Sequence, residues 1–148
     1  MPSFKKILFP VDLSDVSTLV VPYVNEIAER LSAKVHVLFV ARGLQHFANI
    51  YVSRYSVNNF EEEIVKGASK KLQEFVTAHF KEQSCETMVL LGDPPEKIIE
   101  YLRSEGIDLV ILGTHGRKGI DKILLGSVAD QVIKNSPVPV LTVNPYLS

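Results

Sequence analysis

The sequence predicts an α/β protein: an open parallel sheet of five strands with helices on both faces. Three observations carry this reading. Short apolar runs alternate with amphipathic segments along the chain, the pattern of repeated β-α-β units with right-handed crossovers. The runs are nearly continuous in apolar character, as strands buried on both faces of a sheet are. The length of 148 residues suits one domain at about 100–200 residues per domain.

The elements follow in order. The five apolar runs are Ile7–Val11, Val35–Val40, Met88–Leu91, Leu109–Leu112 and Val138–Val143. Periodicity alone does not separate runs this short from buried helix, but their β-branched content and flanking Pro or Gly favour strand. Between the first two, Ser14 to Leu31 carries Val16, Leu19, Val20, Val24, Ile27, Ala28 and Leu31 as a helical stripe. Pro22 inside it predicts a kink or a delayed start. Asn59 to Lys81 repeats the stripe with Phe60, Ile64, Ala68, Leu72, Phe75, Val76 and Phe80. Gly67 there costs about 1 kcal/mol relative to Ala, which a long helix absorbs. Asp93-Pro94-Pro95-Glu96 reads as a capping box with Pro in the first turn, opening a helix that stops near Gly106. A last helix begins at Ser127, with Ser127 as cap and Asp130 completing a second box. The irregular stretch from Ala41 to Asn58 is long for a connection and reads as either a mobile lid or an ordered surface excursion.

Composition narrows the function classes. With 46% hydrophobic and 22% charged residues the chain is ordinary for a globular domain. A chain of this length buries roughly 68–70% of its unfolded surface, so no disulfide or metal staple is required. The lone Cys85 cannot form an internal disulfide or a multi-cysteine zinc site. A net charge of −1 and pI near 6.4 give no basic footprint for nucleic acid. No apolar run approaches a membrane span, and the first residues do not read as a secretory signal. The expectation is a soluble, cytoplasmic protein.

Open α/β sheets bind ligands beyond the carboxyl ends of their strands, where strand order reverses. The most unusual segment lies there, after the fourth strand, running from Gly113 through Thr114, His115, Gly116, Arg117, Lys118 and Gly119 to Gly126-Ser127. Its glycines allow a backbone to approach a ligand without Cβ obstruction. The helix start at Ser127 offers N–H donors and a positive dipole end to phosphate. A Walker-type loop is absent, as is a Gly-x-Gly-x-x-Gly after the first strand, which disfavours P-loop NTPases and dinucleotide oxidoreductases.

Gly113 to Ser127 matches Gly-x2-Gly-x9-Gly-Ser/Thr, and through it the chain resembles the ATP-binding universal stress proteins. Ile7-Leu8-Phe9-Pro10-Val11-Asp12, Leu124 to Ala129 and Ser136 to Leu141 resemble the same family, so the likeness covers essentially the whole chain. The resemblance implies a Rossmann-like sheet in the order 3-2-1-4-5 and a homodimer through the C-terminal strand, Val138 to Val143. That strand is too apolar to stay open comfortably as an edge, although cover by the chain's own tail is the alternative. The resemblance also implies ATP as ligand, with Asp12 facing ribose or adenine, Val11 and Val40 at the adenine pocket, and Pro10 among the nucleotide-binding residues. Gly113, Gly116, Gly126 and Ser127 are implied at the phosphates, with Thr114, His115, Arg117, Gly119, Val128 and Ala129 beside them. Asp12 has helix capping as its alternative role, and Val11 and Val40 have plain core packing. Magnesium would be held mainly by phosphate oxygens, since no carboxylate cluster suggests a protein-made site.

No paired base, metal set or Ser-His-Asp arrangement surrounds His115, and no catalytic residue is assigned. Nucleotide-responsive binding in a stress or signalling dimer is therefore the preferred function, with weak ATP hydrolysis at most. The alternatives are a slow ATPase or nucleotide-dependent enzyme using His115, and an adaptor dimer indifferent to nucleotide. Cys85 reads as an incidental thiol, and His36, Tyr51 and Tyr55 as structural side chains.

Overall fold

A computed structural model describes residues 2–43, 54–80, 85–114 and 126–146. Its elements alternate from β1 (Lys6–Val11), α1 (Asp15–Leu31), β2 (Lys34–Ala41) and α2 (Arg54–His79) to β3 (Glu86–Leu91) and α3 (Pro94–Ser104). They finish with β4 (Leu109–Gly113), α4 (Ser127–Asn135) and β5 (Val140–Val143). The five strands form one parallel sheet in the order β3-β2-β1-β4-β5, as the resemblance implied.

Strand alternation sorts the core into two layers. Ile7, Phe9, Val11, Val35, Val37, Leu109 and Ile111 face the side where α1 and α2 supply Val20, Val21, Val24, Ala28 and Leu72. Leu8, Leu38, Val110 and Leu112 face the other side, against Ile98, Tyr101 and Leu102 of α3 and Ala129 and Val132 of α4. Every strand run is thus apolar at successive residues, because successive residues enter different cores. The edge strands depart from full burial: Met88 on β3 and Leu141 on β5 are exposed.

Several local expectations need correction. Helix α1 is continuous from Asp15 with Pro22 inside it, so its start is not delayed. It ends on Ser32 in the left-handed region (φ 50°), whose N–H turns back to the carbonyls of Ala28 and Glu29. Helix α2 begins at Arg54 rather than Asn59. That shortens the irregular stretch after β2, and residues 44–53 of the suspected lid lie outside the described residues.

Asp93 is the N-cap of α3, but its side chain makes no cap bond. Pro94 and Pro95 follow it and have no N–H to offer, and the Asp93 carboxylate lies 3.6 Å from Arg42 instead. Strand β5 begins at Val140, two residues late, because the Pro139 carbonyl still accepts from Val110 (3.0 Å) while its nitrogen has nothing to donate.

Candidate functional site

The strands part at the point where their order reverses. Strand β1 stays in register with β2 up to Val11↔Phe39, yet its register with β4 stops after Ile7↔Leu109 and Leu8↔Val110. Pro10 supplies the reason. The Lys6 carbonyl accepts from Asp108 N–H on the β4 side (2.9 Å), and residues two and four further on face the same way. Pro10 occupies that position without a donor, so the ladder cannot continue. A gap opens between the carboxyl ends of β1 and β4, the place where doubly wound sheets take their ligands.

Two chain segments border that gap. Thr114, leaving β4, donates its N–H to the Val143 carbonyl (2.9 Å), and its own carbonyl accepts from Gly126 N–H (2.9 Å). Thr114 and Gly126 are therefore held together, and α4 begins at the carboxyl end of β4. Gly126, rather than Ser127, is the N-cap of α4, and no side chain caps it. With the cap one residue earlier, Asp130 falls outside the box position and its carboxylate bonds Lys134 at 3.0 Å. The first bond within α4 runs from Asp130 N–H to the Gly126 carbonyl (2.9 Å). The N–H groups of Ser127, Val128 and Ala129 thus have no acceptor inside the helix.

Gly126 is not demanded by the fold. Its φ of −59° and ψ of 149° suit any residue, and a Cβ added there would meet only the Thr114 carbonyl at an ordinary 3.6 Å. Gly92 (φ +147°) and Gly106 (φ +62°) stand in contrast, since their backbone conformations themselves favour glycine.

On the β1 side, Asp12 is held by serines. Its Oδ1 accepts from the Ser14 N–H (3.0 Å), the Ser14 hydroxyl (2.6 Å) and the Ser17 hydroxyl (2.9 Å). Ser17 Oγ in turn accepts from the Asp12 N–H at 3.3 Å. Ser14 is the N-cap of α1 but makes no side-chain cap bond, because its hydroxyl is turned to Asp12. Asp12 therefore does not fill the helix-capping role considered for it. Leu13 between them adopts φ 61°, uncommon for a residue with a Cβ. The strain in that turn accompanies a carboxylate with one oxygen, Oδ1, held by three donors.

Ser17 is the residue that sequence reading missed. It lies 7% exposed among Val20, Val21, Val24 and Ala28 on the core-facing side of α1. A serine on an otherwise apolar helical stripe was the available signal.

The remaining expected residues divide. Val11 ends β1 and Val40 is the last residue but one of the adjacent β2, but their side chains enter opposite core layers. Only their backbone groups can serve one site. Val128 and Ala129 likewise turn their side chains to the core. Gly113 closes β4 in register with Val143. His115, Gly116, Arg117 and Gly119 lie outside the described residues. Among the described residues no three His, Cys, Asp or Glu side chains gather as a metal site, and no helix is long and apolar enough to cross a membrane. Cys85 is half-buried, and burial pushes its thiol above the ordinary range, away from reactive thiolate.

Fold and site together define a doubly wound parallel α/β protein whose switch point is bordered by the end of β4 and the start of α4. Residues 3–144 match the model of the universal stress protein family, and the chain belongs to that family. It is 34% identical over 146 residues to Universal stress protein MJ0531 of Methanocaldococcus jannaschii, covering 95% of this chain and 82% of that one. The solved structure of protein MJ0577, from the same organism, superposes with a TM-score of 0.83 at 27% identity, covering 98% and 99% of the two chains. A universal stress protein solved in complex with cAMP has a TM-score of 0.62 at 22% identity, covering 97% and 98%, a likeness that speaks for the fold.

Proposed function

We propose that this protein is a single nucleotide-binding unit that takes ATP at the gap between β1 and β4 and responds to it as a stress or signalling dimer. The observation that carries the reading is the 2.9 Å bond from Gly126 N–H to the Thr114 carbonyl. It sets the start of α4 against the end of β4, with the donors of Ser127, Val128 and Ala129 aligned for phosphate oxygens. These residues fit the ligand: the donors lack helical acceptors, and Gly126 carries no Cβ although its backbone would accept one. Asp12, pinned by Ser14 and Ser17, would take a hydroxyl or amine of the nucleoside, and would avoid the phosphates by like-charge repulsion. Gly113 and Gly116 would let the loop approach the phosphates, with Thr114, His115, Arg117 and Gly119 alongside. Pro10, Val11 and Val40 would border the base. Magnesium, when present, would be bound through phosphate oxygens. The cAMP complex of a protein of this fold supports the choice of an adenine nucleotide.

Binding, rather than turnover, suits the described residues, because Asp12 is the acid at the gap and its Oδ1 is already committed to three donors. The dimer would form through Val138 to Val143. Leu141 on β5 is exposed, an apolar side chain on the edge strand that a second copy would cover. Mass spectrometry of nucleotide released from gently purified, denatured protein is expected to give ATP, and calorimetry to give saturable ATP binding. Absence of both rejects the reading. Sedimentation is expected to give twice the chain mass, and a monomer at micromolar concentration rejects the dimer.

A further inference from the structure

The amino end of the sheet holds a buried titratable pair that the nucleotide reading does not use. His36 is only 3% exposed and is one of two buried polar residues among those described, the other being Ser17. It stands on β2 facing α3, where its Nδ1 lies 2.9 Å from the Tyr101 hydroxyl, with the two rings edge-to-face at 5.8 Å. Its Nε2 is buried and has no hydrogen-bond partner among the described residues. Neutral imidazole fits this arrangement as the Nδ1–H tautomer, which donates to the Tyr101 oxygen and leaves Nε2 without a proton in the apolar layer. The imidazolium does not, because both nitrogens then donate and Nε2–H would be a buried donor without an acceptor.

We propose that the His36–Tyr101 pair is an acid-released latch that holds α3 on β2. Tyr101 sits in the core-facing row of α3 with Ile98 and Leu102, so the latch is continuous with the packing of that helix. The charged and titratable groups around His36 are Lys6 on β1, Lys34 on β2, Glu86 on β3, and Tyr101 and Glu105 at α3 and its end. Glu86 Oε2 lies 3.5 Å from Nδ1 and favours the proton, but Glu86 is exposed and its other oxygen is bound by Lys34 at 2.6 Å. Lys34 and Lys6 oppose the proton, and burial opposes it most, so the His36 affinity for a proton falls below its ordinary value. Tyr101 is pushed up to about 12 by burial and stays a neutral hydroxyl throughout.

The sign follows directly. Above pH 6.5, the ordinary histidine value, His36 is neutral whether α3 is docked or released. Below it, the released state takes up a proton that the docked state resists, so acid favours release. The ratio of released to docked α3 rises by up to about tenfold at pH 5.5, one unit below the open-state value. The Glu86 carboxylate is itself held low by Lys34 and acts only below its ordinary 4.5, a separate window.

Hydrogen exchange of the intact protein at pH 7.5 and 5.5, corrected for intrinsic exchange, tests the latch. Protection of Pro94–Ser104 should fall up to tenfold at pH 5.5 in the wild type. In His36→Gln, which keeps a polar group beside Tyr101 but cannot titrate in this range, protection should be equal at the two pH values after correction. Unchanged protection in the wild type, or an equal loss in His36→Gln, overturns the proposal. If His36→Gln does not fold, the His36 ring resonances in wild-type protein decide instead. A titration midpoint below 6.5 supports the latch, and one at or above 6.5 overturns it.

Discussion

The two ends of this sheet are built by opposite strategies. At the amino end, side chains satisfy backbone groups: Asp108 Oδ2 accepts from the Lys5 and Lys6 backbone N–H groups at 2.8 and 2.9 Å, and Lys6 Nζ reaches the Glu105 carbonyl at 3.1 Å. Lys34 and Glu86 pair across the same end at 2.6 Å. At the carboxyl end the ladder between β1 and β4 is interrupted at Pro10, and a helix start is left with donors that have no helical acceptor. The amino end ties its surface charges to backbone groups and to one another, whereas the carboxyl end keeps backbone groups available. Parallel strands orient every helix start toward the carboxyl end, so the place for an anion is set by chain direction before any side chain is chosen.

That contrast can be broken by substitution. The largest effect is expected from Gly126→Val, which should remove measurable ATP binding while circular dichroism and the unfolding midpoint change little, because φ at that position accepts a Cβ. Unaltered affinity by calorimetry would show that no ligand approaches Gly126 closely. Next comes Ser17→Ala, which withdraws a buried hydroxyl from Asp12 and should cost about 1–2 kcal/mol in denaturant unfolding. It should also weaken ATP several-fold, and a stability loss with full affinity would reduce Ser17 to a packing role. At the opposite end, Asp108→Ala should cost about 1 kcal/mol for its partly exposed hydrogen bonds and leave ATP affinity untouched. Any loss of affinity there would mean that the two ends are coupled. The smallest effect is a gain. Gly67→Ala in α2, where a new Cβ meets nothing within 4 Å, should raise stability by about 0.5–1 kcal/mol with no change at either end.

Much of the architecture was legible in the residues, because a strand buried on both faces must be apolar at successive positions. Val35 and Val37 enter one core while Leu38 enters the other, and all three read as one run. Helix starts were less legible. The Ser127-x-x-Asp130 and Asp93-x-x-Glu96 patterns both look like capping boxes, yet neither side-chain cap forms. The first fails because the cap falls at Gly126, one residue before Ser127; in the second Pro94 and Pro95 offer no N–H, and the Asp93 carboxylate lies toward Arg42 rather than the Glu96 N–H. Ser17 was hidden for a different reason: its partner, Asp12, lies five residues away across a left-handed Leu13 that periodicity does not foresee.

The sequence by itself determined the alternation of strands and helices, the two-layered core, and the position of the glycine-rich segment after β4. Those features depend on periodicity and residue type, which are local. Only the tertiary structure decided where β1 and β4 part, that Gly126 caps α4, and that Ser17 holds Asp12 while His36 meets Tyr101. Each depends on one backbone or side-chain group finding a partner on another element or across a turn, and pairings of that kind exist only once the chain has folded.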